Sequence, residues 1–216
     1  MAKAPRKRVP GKQRAPGGAR TRAASGGSKT RGPPQERALV DVADVLDKLD
    51  RPSAVIGGIA VIAWGYARFT ADIDCAVGAS SGESQDLLTQ FERGGFEPRT
   101  DDAVAFAEQN LVLLLRHRKT GVEVDVSLAQ LEFEGAALRA AVLKRFGSAR
   151  IRVPTLTDLL IYKLVAGRPK DHEDVKELLA LGYEVDAQRV ETTLSAFDAL
   201  LDTDRLADWF RLKGRR

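Results

Sequence analysis

The chain has 216 residues, 44% hydrophobic and 30% charged, which is enough apolar material for a packed core, but no run approaches the roughly 20 apolar residues of a bilayer span. A single cysteine, Cys75, excludes internal disulfides and thiolate zinc clusters, and only His117 and His172 are present to form a histidine site, so any metal chemistry runs on carboxylates. The net charge of +4 conceals a division: residues 1–34 hold ten Lys and Arg and no Asp or Glu, leaving 24 basic against 30 acidic residues in the remainder.

Residues 1–35 read as a disordered basic tail. Large apolar side chains are almost absent there, so nothing offsets the entropy of ordering. The tail lacks the apolar face of a targeting helix and the apolar run of a secretory signal, and the expected location is cytoplasmic. Two uses fit it equally: an electrostatic arm for nucleic acid, gaining affinity from counterion release, or a solubilising extension.

Order is expected from Gln35, where Leu39, Val42, Val45 and Leu46 form one helical stripe ahead of Pro52. The next segment reads as a short buried strand, a turn at Gly57 and Gly58, a small-residue helix, and a strand over Asp72 to Val77. A helix over 83–94 stops at Gly94 and Gly95. "LVLLLRHRKTGVEVDVSL" reads as a hairpin turning at Thr120 and Gly121. Beyond Leu131 the pattern predicts a helix over 133–146, a strand at Ile151 to Val153, a break at Pro154, and helices over 156–166, 171–181, 186–200 and 204–212. Leu206, Trp209, Phe210 and Leu212 in the last helix suit a core better than an interface. The switch predicts an α+β fold: a mixed sheet with flanking helices over 36–153, and a helical subdomain over 154–216 that completes the site.

The chemistry concentrates in "TADIDCAV". Asp72 and Asp74 stand two apart on a strand, so the side-chain period aims both carboxylates at one face. Two such charges repel unless one takes a proton or a cation lies between them, and a hard divalent ion such as Mg²⁺ suits oxygen donors. Alone, the pair is a weak signal that reads more readily as a solvated strand end or a capping pair. Gly57 and Gly58 stand where backbone amides and a helix terminus meet a phosphate, or where a helix packs closely. Asp125 lies on an alternating strand with Glu123, opposite Val122, Val124 and Val126; an exposed hairpin edge gives the same pattern. Jointly, a glycine turn, a helix, paired aspartates and a third aspartate can hold two metals for in-line displacement at phosphorus.

"GGIAVIAWGYARFTADIDCAV" with "VEVDV" downstream resembles the DNA polymerase beta-like nucleotidyltransferase superfamily. The Arg68 to Asp74 motif and "IYKLVAGRPKDHEDVKEL" look like its AbiEii-type, toxin-related branch, over residues 40–182. The resemblance implies transfer of a nucleoside monophosphate from an NTP, ATP among them, to an acceptor hydroxyl. It implies Asp72, Asp74 and Asp125 as catalytic ligands of Mg²⁺ or Mn²⁺. It implies Gly57, Gly58, Arg68, Thr70, Lys163, Lys170 and Asp171 as the nucleotide-binding set, with Asp174 beside them. Many superfamily members carry Ser where this chain has Gly58, so phosphate contact there falls on backbone amides.

The bland readings are an ion pair for Arg68, a helix cap for Asp171, and a solvated face for Asp174 and His172. Lys163, between Leu160 and Leu164, must snorkel or meet an anion. RNA, reached through the basic tail, is the favoured acceptor; a protein hydroxyl and a small molecule are the others. The resemblance also implies an antitoxin partner. A glycosyltransferase fits the glycine turn and third aspartate poorly, and a catalytically dead module that binds nucleic acid or a partner remains the non-enzymatic alternative. The enzymatic reading requires Asp125 to meet Asp72 and Asp74 in space.

Overall fold

The computed structural model describes residues 32–214. Residues 1–31, and with them the expectation of a disordered arm, lie outside the described residues. Pro34 opens helix α1 (Pro34–Leu46), at a position where its missing N–H is no loss. The buried stripe of α1 is Ala38, Leu39, Val42, Val45 and Leu46, as its spacing predicts.

A short strand β1 (Ser53–Val55) leads into helix α2 (Gly57–Trp64) and strand β2 (Ile73–Val77). Helix α3 (Ser84–Arg93), strand β3 (Phe96–Pro98), helix α4 (Ala103–Asn110), and strands β4 (Val112–His117) and β5 (Glu123–Leu128) follow. The five strands form one sheet in the order β1-β2-β5-β4-β3. Only the β2–β5 pairing in it is parallel; β1–β2, β4–β5 and β3–β4 are antiparallel. The expected hairpin is present, closing through Gly121 at φ +73°, a conformation glycine adopts without steric cost. Leu113, Leu115, Val124 and Val126 from that hairpin are fully buried, as are Ile73, Phe91 and Phe96. His117 is buried too, held between Asp41 Oδ2 at 2.9 Å and the Thr120 hydroxyl at 2.8 Å, which makes it a structural residue.

The helix expected over 133–146 ends early. Helix α5 (Glu132–Arg139) gives way to strand β6 (Val142–Phe146), which pairs antiparallel with strand β7 (Ala149–Val153) as a separate ribbon. One strictly alternating stretch, Ala149 to Val153, follows Gly147-Ser148, a hairpin-turn signal that the apolar residues Leu138 and Val142, four apart, disguise as a helical face. Strand β3 and helix α4 were not anticipated.

Four helices close the chain: α6 (Leu156–Ala166), α7 (Pro169–Ala180), α8 (Ala187–Leu201) and α9 (Arg205–Lys213). Their bounds follow the expected ones within a few residues. Helix α6 is buried on most sides, with Leu156, Leu159, Leu160, Ile161 and Leu164 inaccessible or nearly so. Its buried Asp158 is satisfied by Arg189, whose Nη2 stands 2.7 Å from Oδ1. In α9, Trp209 and Leu212 join the core, whereas Phe210 stays half exposed. The fold is α+β, and no helix among the described residues is long and apolar enough to cross a membrane.

Candidate active site

The site is built where the parallel strands β2 and β5 lie side by side. Their register makes Asp74 and Asp125 direct partners, so both carboxylates leave the same face of the sheet at the strand spacing of about 4.8 Å. Asp72 precedes β2 by one residue and accepts a hydrogen bond from the Thr70 hydroxyl, 3.0 Å from its Oδ1. The intervening Ile73 and the following Cys75 point into the core, fully buried. Local sequence thus sends apolar side chains inward and acidic ones outward, as the two-residue period requires.

The first turn of α2 closes over this pair. Gly57 adopts φ +61°, and a Cβ placed on it would fall 1.9 Å from Asp74 Oδ2; one on Gly58 would fall 2.7 Å from Thr70 Oγ1 and 2.9 Å from Arg68 Nη2. The Gly-Gly pair therefore admits the acidic strand and the Arg68 to Thr70 loop against the helix terminus. The Ile56 amide, donating to the Asp74 carbonyl at 2.9 Å, pins the junction.

The opposite wall comes from α6 and α7. Gly167, at φ +60°, turns the chain between them and brings Lys163 against Asp171. Lys163 is only 4% exposed, and its Nζ stands 2.9 Å from both Asp171 Oδ1 and Asp174 Oδ2. Arg168 adds a second cation to Asp171, with Nε 2.5 Å from Oδ2. Arg68 reaches across to Asp174, its Nε 2.8 Å from Oδ1, and so ties the loop before the aspartates to the helical wall. Lysine in an apolar helix has found its anions inside the protein. Asp171 and Asp174 are both buried, so neither a solvated face nor an exposed cap describes them. Lys170 is exposed on the first turn of α7, and His172 faces Asp208 of α9, Nε2 to Oδ2 3.2 Å.

The electrostatics of the two walls are opposed. Burial, and then the charge of Asp72, push the Asp74 carboxyl above its ordinary range, and Lys163, Lys170 and Arg168 pull it partly back. Asp125 is raised as well: burial leads, Arg99 opposes, and Asp74, Asp72 and Glu123 add to the rise. Burial also acts to raise Asp171, yet hydrogen bonds from Arg168 and Lys163 outweigh it and hold that carboxyl below its usual value. Three carboxylates thus sense one another on the sheet, facing a cationic rim.

Arg99, just beyond β3, is a residue that the sequence pattern did not single out. Its Nη2 bonds Asp125 Oδ1, its Nη1 meets Glu123 Oε2 at 2.9 Å, and its Nε donates to the Leu115 carbonyl at 3.0 Å. The pairing strand β3 brings it there, and no local motif announces it. Among the described residues no group of three or more His, Cys, Asp or Glu is arranged to hold a metal ion. The reason is visible in the contacts: Asp125 is turned onto Arg99 and Asp72 onto Thr70. The donors themselves, all carboxylate oxygens and mutually repelling, have the chemistry of a Mg²⁺ or Mn²⁺ site.

A family model described as "Nucleotidyltransferase of unknown function (DUF6036)" matches residues 37–212. The chain belongs to this family. It is a nucleotidyltransferase, and the superfamily resemblance seen in its motifs holds. None of the curated proteins matches the sequence. Among solved structures, the nucleotidyltransferase is similar to ANT(2″)-Ia in complex with adenylyl-2″-tobramycin, at 15% identity and TM-score 0.52, over 76% of this chain and 97% of that one. The solution structure of the antibiotic-resistance factor ANT(2″)-Ia gives the same identity and TM-score, covering 76% and 92%. An antigenic nucleotidyltransferase-like protein from Paracoccidioides brasiliensis follows at 18% identity and TM-score 0.49, covering 77% and 88%. At these identities the likeness concerns the fold alone, and it is the α+β architecture that the chain shares with ANT(2″)-Ia.

Proposed function

We propose that this nucleotidyltransferase moves an NMP from an NTP to a hydroxyl of RNA, with Asp72, Asp74 and Asp125 as its catalytic carboxylates. The observation that carries the reading is the registered pairing of Asp74 with Asp125, set against the cationic rim of Lys163, Arg168 and Lys170. In the reaction the acceptor oxygen bonds the α-phosphorus, the bond to the bridging oxygen breaks, and pyrophosphate leaves with that electron pair. The acceptor's proton passes to Asp125. Asp72, Asp74 and Asp125 would hold Mg²⁺ or Mn²⁺, which supplies charge neutralisation at the phosphates when bound.

The rest falls to the chain's own groups. Amides of Gly57 and Gly58 at the start of α2 favour the anionic triphosphate, and the exposed Lys170 and Arg168 extend that attraction over the rim. Lys163, Asp171, Asp174, Arg68 and Thr70 set the geometry of the two walls through their ion pairs and hydrogen bonds. On this reading residues 36–153 are the catalytic unit, and residues 154–216 complete its site. Incubation with each labelled NTP, Mg²⁺ and total RNA should place label in RNA, and Asp74→Asn should abolish it. Label recovered only on protein or small molecules would overturn the RNA acceptor, and no label from any NTP would favour a binding module without activity.

A small-molecule acceptor is the second reading, favoured by the fold shared with ANT(2″)-Ia, a structure that holds an adenylylated aminoglycoside. The AbiEii-like motif "RFTADID" supports a further reading, a toxin held by an antitoxin. Growth arrest on induced expression, absent with Asp74→Asn, is its test; unchanged growth sinks it.

A further inference from the structure

The β6–β7 ribbon carries an unbalanced charge. Its register sets Arg145 directly opposite Arg150 and Leu143 opposite Arg152, so these four side chains share one face, and all four are exposed. The other face is packed: Ala149, Ile151 and Val153 are buried, and Lys144 lies 3.6 Å over the Trp64 ring. None of Arg145, Arg150 and Arg152 has a carboxylate within ion-pair distance among the described residues, although acidic residues outnumber basic ones over the folded part. Like charges placed opposite one another destabilise a ribbon. Arg139, at the end of α5, and Arg51 line the same groove as Arg152, with Asp47 as its one acidic residue.

The first turn of α1 lies beside this ribbon. Glu36, in the first turn of α1, accepts from the Ser148 amide at 2.8 Å and from its hydroxyl at 2.5 Å, at the tip between β6 and β7. One residue earlier, the Gln35 side-chain amide donates to the Thr70 carbonyl at 2.9 Å and to that of Asp72 at 3.4 Å. Gln35 and Glu36, adjacent in the first turn of α1, therefore link the tip of the arginine ribbon to the loop bearing Asp72.

We propose that the outer face of the β6–β7 ribbon is a docking surface for an RNA backbone. Guanidinium groups match phosphate oxygens in pairs, and the exposed arginines of the ribbon form a cationic strip along which a strand's phosphates can lie. One apolar residue, Leu143, on an otherwise cationic face is poor equipment for inserting into a lipid surface. Docked there, a strand would pass the rim of the site where Gln35 meets Asp72. The proposal takes up the RNA acceptor of the proposed function, and binding is measured without NTP so that the two fail separately.

The experiment uses the full chain and its triple variant Arg145→Ser, Arg150→Ser, Arg152→Ser. Fluorescence anisotropy follows a labelled single-stranded RNA and the DNA of the same sequence across a salt series. Vesicles of phosphatidylcholine with phosphatidylserine form a third arm. The variant should bind nucleic acid about tenfold more weakly near physiological salt. Its log–log salt slope should fall by about 2, from roughly 0.7 per lost phosphate contact. Its thermal midpoint and Mg²⁺–ATP affinity should match or exceed the parent's, since repulsion is relieved far from the carboxylates. RNA binding by the parent that weakens in the variant supports the surface, and a parent that binds the DNA but not the RNA overturns it. A triple variant that binds as tightly as the parent overturns the proposal, as does a parent that binds the vesicles and neither RNA nor DNA. Label transfer to RNA, assayed apart, bears on the reaction alone.

Discussion

Gly57 and Asp74 approach so closely that no side chain fits between them: a Cβ on Gly57 would stand 1.9 Å from Asp74 Oδ2. Gly57 also sits at φ +61°, where an L-residue costs about 1 to 2 kcal/mol. Gly57→Ala should therefore displace the Asp74 carboxylate as well as strain the turn. The expected result is a stability loss of about that size in urea unfolding, with nucleotidyl transfer reduced at least about 100-fold. Gly95→Ala is the control: its φ is also positive, at +96°, but no atom lies within 4 Å of its Cβ. If both variants lose stability alike and neither loses transfer, the Gly57 contact has no catalytic meaning.

Lys163 is the hub of the helical wall. With Asp171 and Asp174 each 2.9 Å from its Nζ and all three groups buried, removing the ammonium leaves two carboxylates short of a cation. Lys163→Met should cost about 3 to 5 kcal/mol, the range for breaking a buried ion pair from one side. Arg168 and Arg68, which also hold these carboxylates, place the loss at the lower end. Denaturant midpoints that match the parent's would show that the wall does not depend on this lysine.

Acid should act on the two walls with opposite sign. Asp171 is held below its ordinary value of 3.8, so its ion pairs contribute stability fully present above that pH and lost as pH falls through the depressed value. Asp74 is raised by burial and by Asp72, so its contribution is fully present below 3.8 and is lost as pH rises through the elevated value. Above that elevated value the ionised Asp74 is a net cost to the fold. Asp74→Asn should raise the thermal midpoint at pH 7, by about 1 kcal/mol of stability, while abolishing transfer. Mg²⁺ should raise the parent's midpoint and leave the variant's nearly unchanged. A variant less stable than the parent at pH 7 would show that Asp74 is not under electrostatic strain.

What could be read from residue order divides along physical lines. The direction of Asp74 and Asp125 was legible because each lies in a period-2 strand whose apolar partners must face the core, and Asp72 stands one residue before the first of these strands. The terminal helices were legible from long periodic stripes. The α5 to β6 switch was not, because "AALRAAVLKRF" satisfies a helical and an alternating pattern equally, and only packing of the ribbon against α1 and β1 decides. Strand β3 has three residues and no period of its own, so its pairing with β4, and hence the place of Arg99, comes from tertiary structure. Lys163 was legible as a buried cation, but the number and identity of its partners depend on the turn at Gly167.

Arg99 holds Asp125, the last of the three carboxylates proposed to be catalytic, while also touching Glu123, 2.9 Å from Nη1. A divalent ion approaching Asp125 meets a guanidinium already there, and like charges cannot share one carboxylate oxygen. Glu123 gives Arg99 a place to remain once Asp125 is taken, so release costs one charge-assisted bond rather than a stranded cation. The pair is partly solvated, with side-chain exposures of 18% and 34%, which reduces its worth to about 1 kcal/mol. Arg99→Gln should accordingly bind Mn²⁺ about fivefold more tightly, read by calorimetry or by the Mn²⁺ resonance signal in the absence of nucleotide. Glu123→Gln should act the other way, since Arg99 then has only Asp125 to hold and releases it less readily. Should Arg99→Gln instead bind Mn²⁺ more weakly, the arginine orients Asp125 toward the ion rather than competing with it.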